Sequence, residues 1–456
     1  MAWSLLATGC AVGPDFVRPT MELPATWSGA AGGESGDEAL RRWWDGFNDP
    51  QLTSLIERAM AANLDLRKAA ARVRQARASR GVAISEIGPT VDAAGSHERS
   101  RSSAGVVGDL YQAGFDAGWE IDLFGGTRRG IEAAEAELAA AVEGKNGVLV
   151  SLSAEVARNY ISLRVGQQRL AVARQNMAAQ QKSVAITRQR YEAGLVNRLD
   201  LSNAEAQLAT TAAQVPPLES AVRQSMHALA LLLALPPATL VTDLTPEAPV
   251  PVAAGSVPAG LPSDLLRRRP DIRKAEAALH AATARIGVAT ADLFPRFTLS
   301  GALSFSDTHL GSLFTWAERG WSFGPSVSWR LFETGRALAN IELRKAMQEE
   351  EGLAYQQTVL VALREVEDAL VAAGKEEEHR QALLAAVTAN RRAVDLATRL
   401  YTAGESDFLA VVVAQRSLYA AEDALAQSTG TVATELVALY KALGGGWEAV
   451  VPEGRQ

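Results

Sequence analysis

The sequence of this chain repeats itself once. Residues 63–69 (NLDLRKA) return as 269–275 (RPDIRKA) after 206 residues, and residues 191–194 (YEAG) return as 401–404 (YTAG) after 210. The matches keep their order, and the offset between them drifts by only 4 residues. Such self-similarity indicates tandem duplication of a unit of about 208 residues, which is far longer than a solenoid repeat. Function must therefore be sought in what two similar repeats build together.

Composition excludes several classes of protein. The chain has 456 residues, of which 48% are hydrophobic, so it can bury a large core. Its net charge of −7 argues against a nucleic-acid partner, because nucleic-acid binding needs a basic surface. The longest apolar run, residues 228–235, is too short for a transmembrane helix. That test does not bear on the strands of a transmembrane β-barrel, whose signal is weaker.

No catalytic or metal-binding pattern stands out in the sequence. The five histidines are scattered without the spacing of metal ligands, and no glycine-rich phosphate loop follows a predicted strand. We therefore expect no enzyme activity, no catalytic residue, no metal and no cofactor. The basic run Arg267-Arg268-Arg269 is interpreted as a solvated cluster at a helix end.

Helical periodicity covers most of both repeats. Residues 50–87 show apolar positions every three or four residues, behind Asp49 as a predicted N-cap. Residues 126–191 and 335–401 contain no proline and almost no strand pattern, which predicts two very long helices. In the second of these, a seven-residue grid predicts left-handed coiled-coil packing. Its apolar members are Val359, Val366, Ala373, Val387, Val394 and Tyr401.

Each long helix is expected to turn back on itself. The glycines at 194 and 404 suit the left-handed position that follows a helix C-terminus. Return helices are predicted over 199–235 and 408–443. Each repeat therefore contains a helical hairpin whose turn lies at one of these two glycines.

Strand periodicity is confined to four short segments. Between Tyr111 and Leu123, seven apolar residues alternate with six polar residues or glycines, which predicts a strand with one apolar and one polar face. Residues 297–305 and 321–331 alternate in the same way, and 90–101 is the weakest of the four. Each repeat thus supplies one pair of strands. Four strands cannot close a barrel with an apolar outside, whereas three chains would supply twelve.

These patterns divide the chain into six segments. They are 1–10, a signal or lipobox remnant; 11–49, an extended N-terminal arm; 50–235, the first repeat; 236–262, a proline-rich connector; 263–443, the second repeat; and 444–456, a C-terminal tail. Cys10 is the only cysteine and follows a short apolar stretch that ends in Gly9, as at a bacterial lipoprotein cleavage site. Lipidation of Cys10, as by palmitate, is the leading interpretation, and a free buried thiol is the alternative.

Several motifs together resemble one family. They are 12–16 (VGPDF), 119–125 (WEIDLFG), 190–195 (RYEAGL), 261–272 (LPSDLLRRRPDI), 294–295 (FP) and 321–326 (WSFGPS). On these motifs the chain resembles a TolC-type outer-membrane efflux channel of the lipoprotein (NodT-like) branch, which serves resistance-nodulation-division (RND) pumps. The resemblance spans nearly the whole chain.

The resemblance implies a fold, a compartment and partners. The fold class is mainly α with a transmembrane β-barrel, in which a homotrimer forms twelve strands that continue into a periplasmic helical tunnel. The implied location is the outer membrane of a Gram-negative bacterium, with a lipid anchor in outer-membrane lipid. The implied partners are a periplasmic adaptor (membrane fusion) protein and an inner-membrane RND transporter, with no nucleic acid. The implied role is a passive exit duct in multidrug efflux and resistance.

The functional residues are expected at the turns of the helical hairpins. By resemblance, the pore-gate residues are Leu199, Asp200, Tyr401, Asp407 and Leu409. The residues expected to dock the adaptor are Gly194, Leu195, Val196, Gly404, Glu405 and Ser406. Many relatives have Asp where this chain has Val413, so a constriction built on that carboxylate would be absent or apolar here.

Two alternatives to drug efflux remain open from the sequence. One is the outer-membrane outlet of a type I protein secretion system, and the other is a soluble coiled-coil structural protein. The alternating segments oppose the second. The N-terminal arm favours efflux over secretion by resemblance.

Overall fold

The computed structural model describes residues 11–28, 37–253, 260 and 262–449. Cys10, the predicted lipidation site, lies outside these residues. The helices are α1 (Asp37–Arg41), α2 (Pro50–Ala62), α3 (Leu64–Ser85), α4 (Gly126–Glu192), α5 (Arg198–Ala212), α6 (Val215–Leu232), α7 (Val241–Leu244), α8 (Leu265–Arg268), α9 (Pro270–Ala291), α10 (Thr334–Ala403) and α11 (Phe408–Ala442). The strands are β1 (Thr90–Arg101), β2 (Val107–Ile121), β3 (Arg296–Asp307) and β4 (Arg319–Ser328). The fold is thus mostly helical with one small sheet.

The chain divides into two compact units that interleave along the sequence. The sheet unit comprises residues up to Met21, Ala70–Glu143 and Arg273–Thr358. The helical unit comprises Glu22–Ala69, Gly144–Ile272 and the chain from Val359 onward. The long helices α4 and α10 contribute to both. No helix in the described ranges is long and apolar enough to cross a membrane.

The sheet unit contains one antiparallel sheet in the order β1-β2-β3-β4. Its inner seam, between β2 and β3, joins the two repeats. The register places the predicted apolar positions that lie within the strands on one face, because Phe115 lies opposite both Ala93 and Leu303, and Leu303 lies opposite Trp321. The other face is lined mainly by serine, glycine and acidic residues. The sheet therefore presents one continuous apolar face and one polar face.

The last strand is shorter than the sequence predicts. Alternation suggested a strand through Leu331, but β4 ends at Ser328 and Leu331 lies in a 3-10 helix, Leu331–Glu333. β4 pairs only with β3, and that pairing stops where Arg296 faces Ser328. Beyond this point no neighbouring strand among the described residues holds the backbone extended.

The duplication is visible in the elements themselves. Helices α3 and α9 each have 22 residues, and strands β1 and β3 each have 12. Both pairs start 206 residues apart, at the offset read from the sequence. The repeat therefore conserves element lengths as well as motifs.

The predicted helix over 50–87 is two helices. Asn63 between them has ψ of 133°, which is not helical. Its side-chain oxygen accepts hydrogen bonds from the backbone N–H groups of Asp65 (2.8 Å) and Leu66 (3.0 Å), so it is the N-cap of α3. Its amide nitrogen donates to the carbonyl of Leu232 at 2.8 Å. The Asn63 cap therefore ends one helix and begins the next, even though the apolar residues continue at helical spacing through this position.

The first return helix is also interrupted, whereas the second is not. Residues 198–232 form α5 and α6, separated at Ala213 and Gln214, but the equivalent 408–442 form the single helix α11. Pro216 and Pro217 explain the difference, because proline lacks the N–H that a helix interior needs. The proline-rich connector likewise is not wholly irregular, since it contains α7.

The helical unit has a core rich in tryptophan near its N-terminal segment. Trp43 stacks on Tyr440 at 5.3 Å between ring centroids and meets Trp44 edge-on at 5.7 Å. Both indoles are at most 1% exposed. Nearby, Tyr160 is fully buried and its hydroxyl donates to Asp49 at 2.8 Å. Burial raises the pKa of Tyr160 to about 12.

The interpretation of Arg267-Arg268-Arg269 as a solvated cluster is wrong for Arg269. Its side chain is only 8% exposed and forms ion pairs with Asp271 and with Glu365, the latter at 2.8 Å. It also donates to the carbonyl of Ala442 at 2.8 Å, at the end of α11. Arg269 therefore holds three segments of the helical unit together. Arg267, in contrast, is exposed.

The first part of the N-terminal arm is bound to the sheet unit. Arg18 forms a bidentate ion pair with Glu276 at 2.7 and 2.8 Å, and Phe16 stacks on His280 at 4.4 Å. Asp15 accepts a hydrogen bond from the buried Arg129 at 2.6 Å. This part of the arm is thus held by specific charged and aromatic contacts. The end of the predicted extended arm is instead helical, at Asp37–Arg41 and Trp43–Phe47.

Candidate functional site at the hairpin turns

Both helical hairpins of the helical unit end in the same backbone motif. At the end of α4, Gly194 has φ of 72°, its N–H donates to Tyr191, and the next N–H, of Leu195, donates back to Arg190 at 2.8 Å. At the end of α10, Gly404 has φ of 82° and makes the equivalent bonds. This is a Schellman motif, and its left-handed residue favours glycine in both turns. Gly194 and Gly404 therefore both adopt the left-handed conformation that the sequence predicts for them.

The helices that follow the turns start differently. Asn197 is the N-cap of α5, and its side chain accepts a hydrogen bond from the backbone N–H of Asp200 at 3.0 Å. Asp407 occupies the equivalent position before α11, but its side chain makes no such capping bond. The Asp407 carboxylate is exposed at the positive end of the α11 dipole.

An apolar cluster joins the two hairpins just behind their turns. Tyr401 is only 4% exposed and meets Phe408 edge-on at 5.1 Å between ring centroids. The buried members of the cluster are Val184, Ala204, Tyr401, Phe408 and Val411. They come from α4, α5, α10 and α11, so all four helices are packed together at this level.

Arg190 ties the ends of the two long helices to each other. Its guanidinium donates to the main-chain oxygens of Tyr401 and Thr402, both at 3.1 Å, and lies over the ring of Tyr401 at 4.9 Å. The last turn of α10 has no basic residue of its own. Arg190, in the last turn of α4, therefore supplies a positive charge to the C-termini of both helices.

The predicted gate residues fall into two groups. Tyr401 is buried within the chain, as described above. Leu199 and Leu409 are 65% and 60% exposed, each in the first turn of its return helix. Asp200 is half-buried beside Leu199, and Asp407 is exposed beside Phe408. One apolar side chain and one carboxylate are thus accessible at each turn.

The predicted docking residues all lie in or next to the two turns. Leu195 is 67% exposed, whereas Val196 is half-buried and packs against the apolar cluster. Glu405 is exposed, and the hydroxyl of Ser406 contacts the carbonyl of Asp407 at 3.5 Å. The first turn therefore presents an apolar surface and the second an acidic one.

Arg190 and Phe408 were missed as site residues by sequence reasoning. Arg190 was noted only as part of the motif 190–195, and nothing in one sequence pairs it with a residue 211 positions away. Val413, the residue expected to replace a constriction carboxylate, is 54% exposed on α11. The next glutamine, Gln415, is buried and donates to Ser183 on α4 at 2.9 Å.

No metal site accompanies the hairpin turns. Within the described ranges, no three His, Cys, Asp or Glu side chains lie where they could hold a metal ion. What the turns offer is a pair of structurally matched tips with accessible leucines and carboxylates. Such a surface can contact a protein partner or line a constriction.

Comparison with known proteins gives a consistent result. The family model described as "Outer membrane efflux protein" matches residues 55–235 and 261–445, one match in each repeat. Nodulation protein T of Rhizobium leguminosarum bv. trifolii is 34% identical, with 99% of this chain and 98% of that protein covered. The solvent efflux pump outer membrane protein SrpC of Pseudomonas putida is also 34% identical, with 97% of each chain covered.

Solved structures agree with these relatives. The outer-membrane channel OprN superposes with a TM-score of 0.90 at 39% identity, covering 96% of this chain and all of that one. The open state of the MtrE outer membrane channel of Neisseria gonorrhoeae gives 0.87 at 30% identity, covering 96% and 99%. Both the length and the fold of the chain are therefore matched by channels of the outer membrane.

Proposed function

Since this chain belongs to the outer membrane efflux protein family, we propose that it works as a homotrimer that gives small molecules a passive exit duct. The chain is an outer-membrane efflux channel, and its relatives include pump components of the outer membrane. The two repeats, 50–235 and 263–443, each contribute one strand pair and one helical hairpin to this duct. A duct of this kind needs a wall, an opening and a docking surface, and no catalytic group.

The observation that carries the proposal is the two-faced sheet. Its apolar face includes exposed aromatic side chains such as Trp321 (75%) and Phe323 (71%), while its other face is polar. Such a sheet suits lipid on one side and water on the other. Four strands are too few to close around water, and three copies would supply twelve in an even-numbered barrel.

The helical hairpins would form the periplasmic tunnel, with its gate at the turns. Leu199 and Leu409 are the exposed apolar groups that could narrow the opening, and Asp200 and Asp407 would add a ring of negative charge. Such a ring favours cations and repels itself at close range, so the closed state must be held by other contacts. The bonds from Arg190 to the end of α10 are contacts of that kind.

The exposed turns would dock a periplasmic adaptor. Leu195 offers an apolar contact and Glu405 a charged one. An inner-membrane transporter of the RND class would then complete a tripartite pump and choose the compound to be exported. Relatives named as parts of efflux pumps favour this assembly over a secretion outlet or a soluble coiled-coil protein.

Two measurements test the proposal. Protein solubilised from the outer membrane should have a mass near three times 48.4 kDa by light scattering, with the detergent subtracted. Cells that lack the chain should accumulate an efflux dye such as ethidium, and re-expression should restore export. A monomer in detergent, or dye accumulation that does not depend on the chain, would overturn the proposal.

A further inference from the structure

The sheet has one end that connects to helices and another that consists of loops. β1 follows α3, β2 precedes α4, β3 follows α9 and β4 precedes α10, all at the same end. At the other end a short turn joins β1 to β2, and residues 308–318, named here the β3–β4 loop, join β3 to β4. With the helices in the periplasm, as the proposed function has them, the β3–β4 loop lies at the outer leaflet of the membrane.

The β3–β4 loop is folded toward the apolar face of the sheet. Phe305, a member of that face, meets Phe314 of the loop edge-on at 5.8 Å between ring centroids. Leu313 is only 4% exposed, so the loop packs against protein. Yet Leu310, Phe314 and Trp316 are each at least 64% exposed. The loop therefore extends the apolar face beyond the ends of the strands and presents a patch suited to lipid.

A positive charge belongs to this apolar surface. Arg319 starts β4 directly opposite Phe305, so both side chains lie on the face that also carries Trp321. Its guanidinium lies over the ring of Trp316, 4.2 Å from the centroid, and donates a hydrogen bond to the main-chain oxygen of the same residue. Among the described residues, Arg319 forms no ion pair with a carboxylate, not even with the adjacent Glu318. A cation that faces lipid is costly without a counter-ion, so this one needs an anion from outside the chain.

Two carboxylates on the same face are engaged elsewhere in the chain. Asp109 pairs with His97 at 3.1 Å and with Arg99 at 3.8 Å, both on the neighbouring strand. Asp307 accepts a hydrogen bond from the backbone N–H of His309 at 3.1 Å. Neither carboxylate therefore supplies the missing counter-ion.

We propose that Arg319 and the aromatic residues beside it bind the phosphate headgroup of a lipid of the lipid A type in the outer leaflet. The choice of leaflet rests on the proposed function, whereas the cation and its aromatic neighbours are features of the chain itself. Lipid A bears phosphates on a sugar headgroup and belongs to the outer leaflet of Gram-negative outer membranes. Trp316 and Phe314 lie at the level of the headgroup, where aromatic side chains are favoured, and Trp321 and Phe323 contact the acyl chains.

The geometry of Arg319 suits a phosphate. A guanidinium carries five N–H donors in a planar fork and can bind two phosphate oxygens at once. The contact with the carbonyl of Trp316 uses one donor and holds the side chain beside the ring. Among the described residues the other donors have no partner, so they can meet a phosphate. A side chain that is already held in place loses little conformational freedom on binding, which favours affinity.

Lipid binding to the purified full-length protein tests the site. The protein in detergent is titrated with lipid A, and the bound fraction is measured by native mass spectrometry. Arg319→Gln should bind about tenfold more weakly, because a charge-assisted hydrogen bond to phosphate is lost. Arg99→Gln is the matched control and should bind normally, since Arg99 lies at the same end of the same face but is paired with Asp109. Equal binding by Arg319→Gln and the unchanged protein would overturn the site.

Variation of the headgroup identifies the lipid. Removal of the phosphates from lipid A should weaken binding to the unchanged protein about tenfold and abolish its advantage over Arg319→Gln. Equal binding of the two forms of lipid A would overturn the recognition of phosphate. Phosphatidylglycerol, an anionic phospholipid, is the second probe. If its binding depends on Arg319 as strongly as that of lipid A, the assignment to lipid A is wrong.

A loop variant tests the aromatic part of the site. Phe314 is 72% exposed, so Phe314→Ser should leave the fold intact and weaken lipid A binding roughly fivefold through lost apolar contact. Leu231→Ser, at an equally exposed leucine on α6, is the control and should bind normally. Equal binding by these two variants would remove the β3–β4 loop from the site.

Ethidium export by cells that carry the same variants separates the site from the proposed function. Weak lipid binding by Arg319→Gln together with normal export supports the site and leaves the efflux role intact. Unchanged lipid binding by Arg319→Gln, in cells whose export depends on the chain, overturns the site alone. Lipid binding that depends on Arg319, in cells whose export does not depend on the chain, supports the site and counts against efflux.

Discussion

Arg190 lies over the ring of Tyr401, 4.9 Å from its centroid, and donates a hydrogen bond to the main-chain oxygen of the same residue at 3.1 Å. One side chain thereby contacts both the aromatic group and the backbone at the end of the other long helix. The two hairpins of the chain are joined at their tips through this contact. Any motion that separates α4 from α10 at this end must break it.

We expect Arg190→Ala to loosen the hairpin tips. The variant removes two charge-assisted hydrogen bonds and should lower the free energy of unfolding by about 2 kcal/mol. It should also raise the open probability of the channel in planar bilayers and the uptake of large antibiotics by cells.

The control for this change is Arg188→Ala. Arg188 pairs with Glu205 at 2.7 Å, but both side chains are about half exposed, so the pair contributes little to stability. Equal leakage in the two variants would mean that the position of Arg190 at the end of α10 does not matter for closure.

Replacing Leu195 should weaken adaptor docking without affecting the fold. Its side chain is 67% exposed, so Leu195→Ser leaves the chain's own packing unchanged. If the adaptor buries this side chain, affinity should fall roughly tenfold or more, which surface plasmon resonance can measure. Leu231→Ser, at a leucine 72% exposed away from the turn on α6, should bind normally. Normal binding by Leu195→Ser would remove this residue from the docking surface.

Arg269 should be the sensitive member of its basic run. Arg269→Met removes hydrogen bonds to Asp271 and Ala442 and an ion pair with Glu365, and it should cost about 2 kcal/mol of stability, because both carboxylates left behind are nearly half exposed. Arg267→Met, at an exposed position, should cost less than about 0.5 kcal/mol. Thermal unfolding of the two variants decides the matter, and equal melting temperatures would contradict the structural role of Arg269.

The buried Tyr160 predicts a loss of stability at high pH. Its pKa is raised to about 12 from an ordinary value near 10. Below pH 10 the hydroxyl is protonated in both folded and unfolded chains, but between pH 10 and 12 only the unfolded chain ionises, so stability falls by about 2 kcal/mol. Tyr160→Phe should lose less between pH 9.5 and 11.5 in thermal unfolding. An identical pH dependence would show that other groups control it.

Lipidation is tested at Cys10. Cys10→Ser should abolish incorporation of labelled palmitate, while light scattering of the solubilised protein should still give a trimer, because the strands and helices do not depend on the anchor. Palmitate retained on the variant would show that Cys10 is not the acylated residue.

The spacing of apolar residues along the sequence alone predicted the long helices and the alternating strands. Helix α4 starts and ends within one residue of the predicted 126–191, since no proline or cap interrupts that stretch. The alternation from Tyr111 gave the correct apolar face of β2, because a strand exposes successive residues to opposite sides. The spacing of apolar residues is therefore enough to predict a helix or strand where no contact with a distant segment interrupts it.

Contacts between distant segments could not be predicted from the sequence. Asn63 ends α2 and caps α3 through its side chain. The sequence gives no sign of this break, because the apolar residues keep their helical spacing on both sides of it. The burial of Arg269 depends on carboxylates and a carbonyl from separate elements, including Glu365 and Ala442. Arg190 was visible in a motif, but its partner at Tyr401 is set only by how the hairpins pack.

The prolines that divide α5 from α6 have a consequence for symmetry. In the proposed trimer, six hairpins would surround one axis, and hairpins with the divided return helix α5 and α6 would alternate with hairpins whose return helix is the continuous α11. The surface of such a trimer would then lack true six-fold equivalence. A partner that wraps this surface would meet two distinct positions per chain and would have to recognise two non-equivalent environments.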